Sequence, residues 1–427
     1  MIQHLEAAVT RMPNGIVLYH YPTTQFKTVT MMLCLHQRLG DDAARTAVLP
    51  FLLRRGCRGF PSLRDLARRL EELYGAALEP GVWKLGERQV AVWELELAEE
   101  RFVPDPGDLL GQGMELLRQL LTEPATQDGA FRADYLAGER ENLIRRVQSL
   151  ANDKRAYAIF RLGEEMCRGE AFARHQYGRV EELAALEPHE LWGYYQHILR
   201  ENPLDLFVVG GGEPEDLARR ARTVLDFPRT GGVTLGTTPL GNAPAAPREV
   251  VEEQQVHQAK LCLGFRTATT YADPAYTALA VANGILGAFP HSKLFREVRE
   301  RASLAYYANS RLEPTKGLLI VSAGINAADY PRSREIILQQ LAAVQAGDFT
   351  GEELENTRRA MERGILASED VPEQKIRDAV VGLVNGRLEG VAERLARLRD
   401  VTAEQVVEAS RRIRLDTVYL LTGKGVA

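Results

Sequence analysis

Two periods of hydrophobicity run through this chain. Short stretches such as VTMMLC (29–34), LDLFVV (204–209), KLCLGF (260–265) and LDTVYLL (415–421) are apolar or alternate between apolar and polar, which predicts strands. Other segments, such as HELWGYYQHIL (189–199) and AEQVVEASRRI (403–413), place apolar residues three and four apart. They predict helices that bury one stripe. Pro188 stands where the first turn of a helix tolerates proline. Thr402 with Gln405 reads as a capping box, in which each end of the motif satisfies an orphan backbone donor of the other.

The pattern occurs twice. LARRLEELYGAALEP (66–80) is echoed by LFREVRERASLAYYANSRLEP (294–314), and VTMMLCLHQRLGDD (29–42) by AKLCLGFRTATTYAD (259–273). Each half closes with a helix, then Leu-Asp, then an apolar strand. Between the halves, FPRTGGVTLGTTPLGNAPAAP (227–247) is rich in Gly, Pro and Thr and lacks helical periodicity, as a linker does. The expected architecture is α+β: two tandem, similar halves, each a mostly antiparallel sheet with helices packed on one face. The expected boundaries are 1–226 and 251–427, joined by a linker over 227–250.

Composition narrows the function. The chain has 427 residues, 45% hydrophobic and 26% charged, with a net charge of −5, so nothing electrostatic favours a nucleic-acid partner. No apolar run approaches the length of a membrane span, and the start lacks the basic and apolar regions of a signal peptide. The four cysteines, Cys34, Cys57, Cys167 and Cys262, have no metal or redox spacing. The default expectation is a soluble cytoplasmic protein. VVGGGEPED (208–216) lacks the Lys-Ser/Thr of a phosphate loop and reads as a tight strand-to-helix turn.

Three stretches carry a resemblance: FARHQYGRVEELAALEPHELWGYYQHIL (172–199), LDLFVVGGGEPEDLARRARTVLDF (204–227) and HSKLFREVRERASLAYYANS (291–310). With the two-half layout, they make the chain similar to the pitrilysin/insulinase family of zinc peptidases. The likeness is to the mitochondrial-processing-peptidase-like branch of short, two-half subunits. The segment RENLIRRVQSLANDKRAYAIFRLGEEM (140–166) resembles the Asp-Lys-x-x-Tyr-Ala signature of that family's YmfF-like group, here Asp153, Lys154, Tyr157 and Ala158. The group is associated with a modification of elongation factor P.

The resemblance implies a metal site that these residues do not supply. A family peptidase holds zinc with His-x-x-Glu-His on one helix face and a downstream Glu, leaving one position open. With Gly56 placed on the family's glycine, Ala47, Pro50 and Phe51 stand at the His, Glu and His positions. The downstream pair falls at Glu139 and Arg146, so a cation occupies the ligand position. No two of the eight histidines are spaced i, i+3 or i, i+4. No zinc is expected in this chain.

Arg299 and Tyr306 match the family's catalytic pair in spacing. Read from the residues alone, REVRER is a solvated helix face and Tyr306 a half-buried aromatic at a strand start. The resemblance implies a second role, in which the tyrosine donates to a developing oxyanion and the arginine holds a substrate carbonyl. It also implies division of labour. A paralogous His-x-x-Glu-His subunit would carry the zinc, this chain would contribute Arg299 and Tyr306 in trans, and a peptide or unfolded polypeptide would be the substrate. In the family, the strand matching Ala76, Ala77, Leu78 and Glu79 pairs with substrate. A plain edge strand ending at Pro80 is the alternative. For the whole molecule, the alternative is a peptidase-derived scaffold without proteolytic role.

Overall fold

The computed structural model describes residues 7–423. The first sheet contains β1 (Ala8–Arg11), β2 (Val17–Tyr21), β3 (Thr28–Arg38), β4 (Ala77–Leu85) and β5 (Arg88–Ala98). A small hairpin of β6 (Thr126–Gln127) and β7 (Ala130–Phe131) stands apart, and β8 (Leu204–Val209) completes the sheet. The order is β1-β2-β8-β3-β5-β4. Only β2 and β8 are parallel.

The second sheet is built from β9 (Arg248–Glu253), β10 (Ala259–Arg266), β11 (Ala305–Glu313), β12 (Leu318–Ile325) and β13 (Arg414–Thr422). Its order is β11-β12-β10-β13-β9, with β13 and β9 the one parallel pair. The two orders are one pattern. β9, β13, β10, β12 and β11 take the places of β2, β8, β3, β5 and β4. The sequence repeat is a repeat of topology.

Alternation along the strands sets the cores. On β5, Ala91, Trp93, Leu95 and Leu97 join the first hydrophobic core with the helices Ala43–Leu53 and Leu109–Thr122. A Cβ on Gly113 would lie 2.4 Å from the Leu97 Cδ1, so the second of these helices sits close on the sheet because glycine is there. The residues between, Val90, Val92, Glu94 and Glu96, point to the opposite face.

The compact units are discontinuous in sequence. One comprises residues 1–148, 174–236 and 372–378; the other comprises 149–173, 237–371 and 379–427. Helix Lys154–Met166 precedes the linker, yet its Ala158 and Leu162 pack with Cys262, Ile320, Tyr419 and Leu421 of the second sheet. Residues 372–378 open helix Pro372–Val384 and group with the first unit. There Lys375 Nζ lies 5.1 Å from the Tyr21 ring centroid, and the Arg377 guanidinium 4.7 Å from that of Trp83. Residues 227–247 form no helix or strand, and β9 begins at Arg248, within the stretch expected as linker. Among the described residues no helix is long and apolar enough to cross a membrane.

Candidate functional site

Helix Ala43–Leu53, AARTAVLPFLL, presents Ala47, Pro50 and Phe51. Ala47 is fully buried and Pro50 lies inside the helix. Gly56 follows with φ +147°, and a Cβ there would approach the Phe60 carbonyl oxygen to 2.4 Å, so the chain can turn only with glycine. Helix Ala133–Ser149 brings Arg146 to the same place. Its guanidinium lies 5.1 Å from the Phe51 ring centroid and 5.6 Å from that of Tyr177. Arg146 Nη1 also donates to the Tyr177 hydroxyl at 3.2 Å. The two rings meet edge to face, centroids 6.4 Å apart.

Phe51 and Arg146, aligned with two ligand positions from distant parts of the chain, are therefore neighbours. What they form is a cation–π contact. Glu139, the remaining carboxylate, is held by Arg55 Nε at 2.5 Å. Zinc needs lone pairs from His, Cys or carboxylate. An alanine, a proline, a phenyl ring and a permanently charged guanidinium offer none. These residues do not fit the ion. Among the described residues no group of three or more His, Cys, Asp or Glu side chains is placed to share a metal.

The His-Gln-Tyr-Gly turn is packed against this helix. His175 Nδ1 accepts from the Tyr177 backbone N–H at 3.2 Å. Burial, then the Lys84 charge, pushes the imidazole down to about 4, so it is neutral at physiological pH. Gly178 has φ +73°, and a Cβ there would lie 2.7 Å from the Ala44 nitrogen. Buried Gln89 Nε2 ties the turn to the helix start, donating to the carbonyls of Ala43 at 2.9 Å and Gln176 at 2.6 Å. The turn is thereby fixed against the start of the helix.

Ala77, Leu78 and Glu79 open β4, the last strand of its sheet, and Ala76 immediately precedes it. Pro80 does not end the strand as expected. It pairs with Trp93, and the strand runs on to Leu85. An edge strand has one side without ladder partners, where a missing N–H costs nothing. Glu79 stands directly opposite Glu94. Burial, then the charges of Glu373, Glu96 and Glu79, raises the Glu94 carboxyl to about 7.

Arg299 lies on Phe295–Arg301, which coils with π-helical geometry. Such segments are frequent at functional sites. Arg299 is exposed, its guanidinium 4.6 Å from the Phe295 ring centroid. Tyr306 begins edge strand β11 at an irregularity. Ala305 pairs with Ile325 and Tyr307 with Gly324, so Tyr306 is the extra residue of a bulge. Bulges re-aim side chains. Tyr306 is 70% exposed and its hydroxyl has no partner among the described residues. The half-buried aromatic expected from local sequence is not what forms. Arg155, whose guanidinium lies 4.3 Å from the Tyr307 ring centroid, was not anticipated, because no local pattern links residues so far apart in sequence.

A twofold-repeated α+β unit of this topology defines a two-half, peptidase-like chain. Comparison with known proteins agrees. Residues 185–361 match the family model described as the peptidase M16 inactive domain. The "probable inactive metalloprotease YmfF" of Bacillus subtilis strain 168 is 34% identical over 415 residues, 96% of each chain. The chain belongs to the peptidase M16 inactive-domain family. A conserved protein from Enterococcus faecalis V583 superposes with a TM-score of 0.90 at 27% identity, covering 98% of this chain and 99% of that one. A protease from Helicobacter pylori shares the fold, with a TM-score of 0.81 at 13% identity over 98% of this chain and 100% of that one.

Proposed function

We propose that this chain is the non-catalytic, peptide-binding subunit of a heterodimeric zinc peptidase. In this reading it supplies Arg299 and Tyr306 to a paralogous partner carrying His-x-x-Glu-His and the zinc. The observation that carries the reading is Tyr306 itself. A bulge displays a phenol at 70% exposure, seven residues after an exposed arginine, in a chain whose described residues include no group of three or more side chains placed to share a metal. A side chain that served only packing would be buried by the same strand.

The chemistry assigned to the pair follows from its donors. The Tyr306 hydroxyl donates to the oxygen that becomes negative when metal-activated water attacks a peptide carbonyl. Arg299 offers fixed, permanently charged N–H donors to a substrate carbonyl. The open outer side of β4, Ala77–Leu85 with Ala76 before it, offers unpaired backbone groups for an extended peptide. Zinc belongs to the partner.

The test is cleavage of a quenched peptide by the two chains purified together. Tyr306→Phe removes one exposed hydroxyl. It is expected to leave pairing unchanged by size-exclusion chromatography and to lower turnover on the order of 10²–10³-fold. Arg299→Ala is expected to weaken peptide binding as well. If both variants assemble and cleave at the wild-type rate, the pair plays no part and a scaffold role replaces the peptidase reading.

A further inference from the structure

The outer edge of β11 carries charge that the fold leaves unused. Beyond the bulge at Tyr306, Tyr307, Asn309 and Arg311 share one face of the strand. Lys260 of β10 joins them, since Lys260 and Tyr307 both stand opposite Gly324. The Arg155 guanidinium stacks on Tyr307, and Lys260 Nζ lies 5.8 Å from the same ring centroid, donating to Gln258 Oε1 at 2.6 Å. Arg311 is exposed.

None of Arg155, Lys260 and Arg311 has a carboxylate partner among the described residues. Arg161, Arg266 and Arg334 of the same unit each hold at least one. Asp153, whose charge acts on Lys260 and Tyr307 without forming an ion pair, caps the helix, its Oδ1 accepting from the N–H groups of Arg155 and Ala156 at 3.0 Å. Glu313 ends the face with the opposite charge. Among the described residues no strand pairs with the outer side of β11.

We infer that β11 binds an extended acidic peptide by strand addition, with the peptide's carboxylates four residues apart meeting Arg155 at one end and Arg311 at the other. Strand addition supplies main-chain hydrogen bonds, and alternate side chains read the surface. Tyr307 and Arg311 are four residues apart, roughly 13 Å along a strand, so only acids at the same separation meet both cations at once. At the topologically equivalent edge, β4, the residue opposite Glu94 is Glu79, which already pairs with Arg54 at 3.7 Å, so that edge presents carboxylates where β11 presents cations. The bulge at Tyr306 interrupts pairing on one side, and Glu313 excludes a further acid on the other.

The inference deepens the peptide-binding reading but stands on binding alone, so a failure of trans catalysis leaves it untouched. The experiment is fluorescence anisotropy with the full chain and a fluorescein-labelled Ser/Thr/Val peptide bearing glutamates four apart. The same peptide with lysines at those positions, and one with glutamates three apart, are the comparisons. The first is expected to bind more tightly than both and to weaken as salt is raised. Arg155→Gln with Arg311→Gln should raise the dissociation constant roughly fivefold or more, while Arg359→Gln, a like change of charge on a distant helix, should not. Arg311 is solvent-exposed, so Arg311→Gln alone, with about a twofold loss expected, carries the comparison if the double variant does not fold. Equal binding of the lysine peptide, or unchanged binding by Arg311→Gln, overturns the inference.

Discussion

At the scale of single residues, helix Ala43–Leu53 and Arg146 make a contact that the sequence did not show. The Arg146 guanidinium lies against the rings of Phe51 and Tyr177. The residue types were legible in the sequence. The contact was not, because helix Ala133–Ser149 is far from Phe51 along the chain. Glu94 offers a residue-scale prediction. Its native carboxyl titrates near 7 against a usual 4.5, chiefly through burial, then through Glu373, Glu96 and Glu79. The native state therefore holds this proton more tightly than the unfolded chain. The contribution to stability is complete below about pH 4.5 and is lost as pH rises through 7. Glu94→Gln should stabilise the protein at pH 8 by on the order of 1 kcal/mol and do little at pH 4.5. Urea unfolding of both proteins at the two pH values is the measurement, and a pH-independent difference would count against the buried-carboxylate account.

At the scale of elements, helix Lys154–Met166 explains a signature that the sequence presented only as a likeness. Asp153 caps it through two N–H groups. Lys154 donates to Gln254 at 2.7 Å, Tyr157 donates to Glu252 at 2.7 Å, and Ala158 is fully buried beneath. Glu252 also accepts from Tyr419 at 2.7 Å, Arg161 at 3.2 Å and Gln254 at 2.6 Å, so one carboxylate fastens the helix to β9 and β13. Burial alone would raise its pKa; these donors together hold it below the usual carboxylate value. Asp153→Ala should cost about 1 kcal/mol through loss of the cap. Glu252→Ala should cost more, about 2–3 kcal/mol, because it strands buried Tyr419 as well as Tyr157. Chemical denaturation of each variant tests the order, and a larger loss from Asp153→Ala would show that the helix is held by its end and not by its face.

At the scale of the molecule, the halves of the chain are not the halves of the structure. Residues 149–173 complete the second unit and 372–378 group with the first. The linker is fastened piecewise. Arg88 Nη2 holds the Leu235 carbonyl at 2.8 Å, and buried Lys316 holds the Pro239 carbonyl at 2.7 Å. Lys316 and Arg266 share Glu170, and Arg266 also pairs with fully buried Asp416, so residues from before the linker and from the last strand meet in one ionic network. A fragment of residues 251–427 lacks helix Lys154–Met166 and Glu170. It exposes Cys262, Ile320, Tyr419 and Leu421 and leaves Arg266 and Lys316 without Glu170. Expressed alone it should be insoluble or lack a cooperative melt, while co-expression with residues 1–250 should restore soluble protein. A stable, cooperatively melting 251–427 fragment would contradict this account of the second unit.

The sequence by itself determined the elements and their repetition. Each depends on information close together in the chain: a period of two or three to four residues, a capping pair, a motif within one helix turn. It also placed Arg299 and Tyr306 at the family's spacing, but read locally it made Tyr306 half-buried. Only the tertiary structure decided that a mismatch of register between β11 and β12 turns that ring into solvent. Only the tertiary structure set Arg146 on Phe51, and only there did Arg155 join Lys260 and Arg311 on one strand edge. These three outcomes arise from contacts between segments far apart in sequence, where strand register and helix packing select neighbours that no local pattern encodes.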